Sequence, residues 1–290
     1  MDNSFGKNMI DGIEAALAHE RLRSVVGARE SMLVAYSGGV DSTLVLKVAH
    51  DVLGARAAGL LAVSPSLPVA ERQEAECLAA WIGIPLHVVT SREMESPAYR
   101  ANGEDRCYFC KSELFGILEN EAKKLGFASL AFGANIDDTG DFRPGMTAAE
   151  ERRIVAPLIE AGLGKAMVRA VARGLRLPNW DKPARACLAS RIPHGMEVTP
   201  ERLAAVERAE EGLIGLGFRQ IRVRHHGDVA RIEVAEEEMA RLEDPALRQA
   251  VSRAVRAAGF RYVALDLDGY RQGSLNPLKL LGDDGTLLSE

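Results

Sequence analysis

Apolar positions along the chain change period repeatedly, and each change marks an element. Ile10, Ile13 and Leu17 fall at helical spacing, which predicts an amphipathic helix over residues 10–26. A short apolar run, 32–36, leads directly into Ser37-Gly38-Gly39, and helical spacing resumes over 42–53. A second apolar run, 58–63, is stopped by Ser64-Pro65-Ser66-Leu67-Pro68; residues 70–82 then read as helix and 86–89 as strand. Further on, 111–125 predicts a helix, 130–132 a strand and 165–174 a helix. Strands alternating with helices predict an α/β fold, a Rossmann-like parallel sheet covered on both faces.

Two polar stretches interrupt this alternation. Residues 90–106 predict a long surface loop, a length that in a compact domain often serves function. Residues 135–145, rich in Asp and Gly, predict another, and 178–193 reads as irregular. After Thr199-Pro200-Glu201 the character changes. A helix over 200–216 precedes strands at 220–225 and 229–234, joined as a hairpin by His226-Gly227-Asp228. Helical patterns at 236–242 and 245–258 and a strand at 262–267 follow. The expected division is a large domain, 1–198, and a smaller α+β domain, 199–290.

Composition narrows the class. Of 290 residues, 47% are hydrophobic and 27% charged, an ordinary globular profile. No apolar run approaches the roughly 18 residues of a membrane span, and the polar start lacks a signal-peptide pattern. A cytoplasmic enzyme with no membrane partner is the expectation. The net charge of −5 includes a basic cluster over 219–231 but no basic domain, which leans against a nucleic-acid partner. Cys77, Cys107, Cys110 and Cys187 are too few for a disulfide scaffold, so Cys107-Tyr108-Phe109-Cys110 points to metal, cluster or redox chemistry. Cys77 shares a helical pattern with Leu78, Trp81 and Ile82 and is expected in the core.

Ser37-Gly38-Gly39-Val40-Asp41-Ser42 sits between a predicted strand and a predicted helix. Two glycines let backbone approach an anion closely, and the following helix adds its positive end. Ser37 and Ser42 can donate to phosphate oxygens, and Asp41 is placed to help hold Mg²⁺. The Gly-Lys-Ser/Thr ending of a Walker loop is absent. The motif resembles the PP-loop of ATP pyrophosphatases, adenine nucleotide alpha hydrolase-like proteins. That implies ATP cleavage to AMP and pyrophosphate, with AMP left on a carboxylate or carbonyl oxygen.

Cys107 and Cys110 stand immediately before the helix predicted from Lys111, with Arg106 and Lys111 as cationic neighbours, a setting that favours thiolate. Two thiolates do not fill a structural metal site, and Cys187 is the natural third. A Cys₃His zinc site using His194 and a redox pair remain open beside a cluster. Here the chain resembles the LarE-type ATP-dependent sulfur transferases. The match runs through the Ser37 loop, Gly133-Ala134-Asn135-Ile136-Asp137-Asp138, Arg143-Pro144-Gly145-Met146 and Leu177-Pro178-Asn179-Trp180-Asp181-Lys182-Pro183. It continues through the Cys187 segment and Arg222-Val223-Arg224-His225-His226-Gly227-Asp228. Arg185, where the family is expected to have a small residue, departs from it.

The resemblance implies a small-molecule nucleotide substrate, pyridinium-3,5-biscarboxylate mononucleotide. Its carboxylates would be adenylylated and converted to thiocarboxylates for the nickel-pincer cofactor of lactate racemase. Sulfur would come from Cys187 itself, or from sulfide on a 4Fe-4S cluster held by Cys107, Cys110 and Cys187. It also implies a homo-oligomer, with a hexamer among the sizes it allows. Arg222 and Arg224, two apart on a strand and so on one face, become candidate ligands of the substrate phosphate, with Arg191 a weaker one. Ser64 and Gly133 fall beside the nucleotide. Asp137 and Asp138 follow a predicted strand end and either bind Mg²⁺ or cap the next turn. His225 and His226 read as turn and hydrogen-bonding residues. The alternatives are a tRNA thiolase, an amide-forming synthetase, or an ATP-binding module with a structural metal.

Overall fold

The structure is a computed structural model that describes residues 3–139, 144–183 and 186–271. Arg143 and Arg185 therefore lie outside the described residues. Contacts divide the chain into two units, 1–100 with 104–186, and 101–103 with 187–290.

The first unit runs α1 (Asn3–Gly27), β1 (Met32–Ala35), α2 (Val40–Leu53), β2 (Ala57–Val63), α3 (Val69–Ile82), β3 (Leu86–Thr90) and α4 (Pro97–Arg100). It continues with α5 (Arg106–Leu125), β4 (Ser129–Phe132), α6 (Pro144–Glu151), α7 (Pro157–Glu160) and α8 (Lys165–Gly174). The strands form one parallel sheet in the order β3-β2-β1-β4. Beyond β4, Val155 adds a single parallel bridge to Ala131.

Met32, Leu33, Val34 and Ala35 on β1 are all buried, as a central strand covered on both faces requires. Met32 and Val34 pack with Leu22, Val45, Leu46 and Leu158 on one face. Leu33 and Ala35 pack with Leu60, Phe115, Leu118 and Phe132 on the other. The strand order reverses after β1, so the crevice beyond the carboxyl ends of β1 and β4 is the place where open α/β sheets take ligands.

Two expectations need correction. Helix α5 begins at Arg106, so Cys107 and Cys110 lie inside its first turns rather than before it. Nothing in Arg106-Cys107-Tyr108-Phe109-Cys110 breaks a helix, and the break comes earlier, at Gly103. Cys77 is exposed, as is Trp81, whereas Ala75, Leu78, Ala79 and Ile82 are buried. The apolar stripe of α3 follows the smaller residues and turns the thiol outward.

In the second unit, α9 (Pro200–Gly215) is capped by Thr199, whose hydroxyl accepts from the Arg202 amide. Strands β5 (Ile221–His226) and β6 (Val229–Val234) form the expected antiparallel hairpin. After α10 (Glu236–Met239) and α11 (Pro245–Ala257), β7 (Tyr262–Leu265) pairs parallel to β6. Leu203, Val206, Leu213, Val223, Ile232 and Val255 form the core of this unit. Asn102, fully buried and left-handed at φ 57°, belongs to it. Its amide donates to the carbonyls of Ile192, Pro193 and Met196 at 2.8–3.1 Å. Among the described residues no helix is long and apolar enough to cross a membrane.

Candidate nucleotide and sulfur site

The Ser37–Ser42 loop crosses from β1 to α2. The N-cap of α2 is Gly39, without a side-chain cap, so the first amides of the helix remain available to an anion. Gly38 is left-handed at φ 75°, and a Cβ there would meet that of Ala75 at 2.8 Å. Ser42 ties the loop together: its Oγ lies 3.1 Å from Ser37 Oγ, donates to the Gly39 carbonyl at 3.1 Å and accepts from the Ser37 amide at 3.3 Å. Buried Asn179 fixes the loop from outside, donating to the Gly38 carbonyl and Thr43 Oγ1, each at 3.0 Å. Gly133, at the end of β4, packs on the start of α2. A Cβ there would stand 2.6 Å from the Ser42 amide nitrogen.

These residues open onto a cavity of about 470 Å³, lined by Ser37, Gly39, Asp41, Ser42, Gly133 and Asp138 among others. Asp41 is mostly buried, its Oδ1 has no hydrogen-bond partner among the described residues, and burial and then the Asp138 charge push its carboxyl up to about 6. Asp138 accepts from the Asn135 amide at 3.1 Å and has Lys165 Nζ at 3.9 Å. An orphaned carboxylate oxygen beside a second carboxylate fits Mg²⁺, which takes one or two carboxylates and completes its shell with phosphates and water. Asp137 does something else: its Oδ2 accepts from the Lys165 amide at 2.5 Å, at the start of α8.

Cys107, Lys111 and Leu114 also line the cavity. They are spaced i, i+4, i+7, one face of α5. Arg106 Nη2 lies 4.0 Å from Cys107 Sγ. Cys110 is half-buried and donates to Glu93 Oε2 at 3.1 Å, while Glu93 Oε1 accepts from Ser64 Oγ at 2.6 Å. Ser64 is thus bonded to Glu93 and is not among the cavity-lining residues. Among the described residues no group of three His, Cys, Asp or Glu gathers to hold a metal. The first unit supplies two thiols without an imidazole, part of the donor set of a three-cysteine cluster and not a complete one.

In the second unit Cys187 is exposed at the start of a tight turn, Leu188–Arg191. Its carbonyl accepts from the Ser190 amide at 3.0 Å, Ser190 Oγ at 2.8 Å and Arg191 Nη1 at 3.0 Å. Arg191, 2% exposed, forms a bidentate pair with Glu210 at 2.9 and 3.0 Å. Glu210 Oε1 also accepts from the Val223 amide at 3.0 Å. Arg224 pairs just as closely with Glu233, which is fully buried, at 3.0 and 2.7 Å, and donates to the Ser190 carbonyl at 3.0 Å. Breaking such a buried pair by removing one partner costs about 3–5 kcal/mol.

Arg222 differs. It stacks on Tyr270 at 5.0 Å and donates to the Ile221 carbonyl at 2.7 Å; among the described residues no carboxylate lies within ion-pair distance of it. Burial, and then the Arg191 charge, pull it below the usual guanidinium range. His225 packs edge-on against Phe260 at 5.1 Å, and among the described residues its Nδ1 has no hydrogen-bond partner.

No protein-family model matches the chain. It is 37% identical over 266 residues, 90% of its length and 95% of the other's, to the pyridinium-3,5-bisthiocarboxylic acid mononucleotide synthase of Lactiplantibacillus plantarum. The chain belongs to the LarE-type sulfur transferases. An uncharacterized protein of Synechocystis is 48% identical over 89% of this chain and 96% of its own length. A glutamine-hydrolyzing GMP synthase of Aspergillus oryzae is 32% identical over 108 residues, 36% of this chain and 20% of that protein.

Within this LarE-type chain the structure brings Ser37, Gly39, Asp41, Ser42, Gly133, Asp138 and Cys107 to one cavity. Sequence reasoning missed Lys111 and Leu114 because it started α5 five residues late. With the helix begun at Arg106, their spacing from Cys107 would have shown the face. Asn179 lies within the Leu177–Pro183 motif, and no local pattern announces that it holds a loop 141 positions away.

Proposed function

We propose that this protein is an ATP-dependent sulfur transferase that makes thiocarboxylates on a pyridinium-3,5-biscarboxylate mononucleotide. The observation that carries the reading is the phosphate cradle of α2 with the orphaned Asp41 oxygen beside Asp138. Ser37, Ser42 and the first amides of α2 hold the ATP phosphates, and Asp41 and Asp138 would hold Mg²⁺. When bound, that ion neutralises charge on the departing pyrophosphate.

A substrate carboxylate attacks the α-phosphorus, pyrophosphate leaves, and an acyl-adenylate forms. A free carboxylate expels oxide poorly; the adenylate expels AMP. A sulfur nucleophile then adds to the acyl carbon, AMP departs and the thiocarboxylate remains. If the sulfur belongs to Cys187, the product is first a thioester. Loss of the Cys187 Cα proton then breaks the Cβ–S bond, leaving dehydroalanine on the protein. In the other route Cys107, Cys110 and Cys187 would hold a 4Fe-4S cluster, which supplies sulfide when bound. Arg222 offers its guanidinium to the substrate phosphate, and residues 199–290 carry substrate binding and self-association. The nickel-pincer cofactor of lactate racemase is the destination of the product.

The test is direct. Anaerobic protein given ATP, Mg²⁺ and the mononucleotide should release pyrophosphate and AMP and form a thiocarboxylate. Nucleotide binding without pyrophosphate release would sink the reading in favour of a non-catalytic ATP module. Ammonia-dependent amide formation would favour a synthetase. Iron and sulfide near four per chain, lost in Cys107→Ala, separates the cluster route from the sacrificial one. Gly133→Ala should weaken ATP binding about tenfold or more by calorimetry, because its methyl group would press on the backbone of Asp41 and Ser42.

A further inference from the structure

We infer that Asn179 is a positioning residue for the phosphate cradle: its side-chain amide turns backbone N–H groups of the Ser37–Ser42 loop toward the pyrophosphate half of ATP. This rests on the reading that the loop binds ATP. Asn179 is 4% exposed and Thr43 is fully buried, and neither lines the cavity. Asn179 Nδ2 donates to the Gly38 carbonyl and to Thr43 Oγ1, each at 3.0 Å. Thr43 Oγ1 passes the link on by donating to the Gly39 carbonyl at 2.8 Å. Asn179 therefore acts on both glycine carbonyls, one directly and one through Thr43, from outside the cavity.

Peptide geometry converts this hold into a function. In a planar trans peptide the C=O and the N–H point in opposite directions. The Gly38 carbonyl shares its peptide with the Gly39 N–H, and the Gly39 carbonyl shares its peptide with the Val40 N–H. Pinning both carbonyls away from the cavity aims those two donors into it, where phosphate oxygens can accept. The Gly39 N–H already points at Ser37 Oγ, 3.5 Å away, and Ser37 and Gly39 both line the cavity. The turn that carries Asn179 is itself fixed. The Lys182 amide donates to the Asn179 carbonyl at 3.0 Å, and Lys182 Nζ donates to Glu71 and Glu74 of α3 at 2.6 and 2.9 Å. Helix α3 also carries Ala75, which backs Gly38, so turn and helix support the loop together. Position 179 needs a donor. The Gly38 carbonyl can only accept, and the hydroxyl hydrogen of Thr43 is committed to Gly39.

Calorimetry with Mg²⁺ and three probes tests the role. Asn179→Ala should weaken binding of ATP and of inorganic pyrophosphate about tenfold or more, the worth of two lost hydrogen bonds. AMP, which lacks the pyrophosphate half, should bind within about twofold of wild type. Thr43 supplies variants of opposite sense. Thr43→Val keeps the shape and removes the hydroxyl, whereas Thr43→Ser keeps the hydroxyl and removes a methyl group. Pyrophosphate binding should weaken about fivefold or more in the valine variant and no more than about twofold in the serine variant. A packing role for this fully buried residue reverses that order, and the reversal would overturn the proposal. So would an Asn179→Ala protein that loses AMP and pyrophosphate to the same degree, or that loses neither. The Thr43 pair keeps the test decisive even if Asn179→Ala folds poorly. Wild-type protein that binds neither ATP nor pyrophosphate would defeat the functional reading instead, a separate outcome.

Discussion

Asp41→Asn is expected to cut pyrophosphate release by about 100-fold or more while raising the melting temperature at pH 7. The loss follows from removing one of the two carboxylates offered to Mg²⁺ beside the phosphates, which leaves Asp138 alone to hold the ion. The gain follows from linkage. Burial and Asp138 raise the Asp41 carboxyl from 3.8 to about 6 in the folded chain, so between those values the native state binds the extra proton. The stability this protonation contributes is fully present below about pH 3.8 and is lost as pH rises through about 6. Above that, ionised Asp41 opposes folding, and an asparagine relieves it. The stabilisation should accordingly shrink when both proteins are melted at pH 4. Saturating Mg²⁺ with ATP should raise the melting temperature of wild type more than that of the variant. Equal melting temperatures at pH 7 would mean that the carboxylate is not under the strain its surroundings imply.

The strand–loop–helix units were legible because their signals are local. A four-residue apolar strand running into two glycines and a helical stripe sits within some twenty positions. Gly133 was legible only through its motif; its physical reason, contact with the Ser42 backbone, is a tertiary fact. The arginine hairpin shows the limit most clearly. Period-two alternation put Arg222 and Arg224 on one face, but alternation cannot say that the face is buried or that Glu233 waits on the paired strand. Identical residue types two positions apart thus received one role, and only their partners tell them apart. Cys77 failed in the opposite direction. A cysteine among apolar residues reads as core until the stripe formed by Ala75, Leu78, Ala79 and Ile82 is seen to turn it outward.

Cys187→Ser should abolish thiocarboxylate formation, to about 1% or less of wild type, while ATP continues to be split to AMP and pyrophosphate. The two half-reactions draw on different residues. The phosphate cradle, Asp41, Asp138 and Gly133 belong to 104–186 and 1–100, whereas Cys187 begins the other unit. A serine keeps the turn, since the contacts that hold position 187 reach its carbonyl and not its side chain. What it removes is the sulfur, and with it both routes: the thiol that would be given up and the third thiolate of a cluster. The acyl-adenylate then has only water to react with, so carboxylate is regenerated and ATP is consumed without product. Measuring pyrophosphate and thiocarboxylate in the same reaction decides the matter. Loss of both together would place Cys187 in the activation step, and unchanged thiocarboxylate would remove it from the chemistry. In wild type, loss of the elements of H₂S from the intact chain after one turnover marks the sacrificial route. Repeated turnover at constant mass marks the cluster.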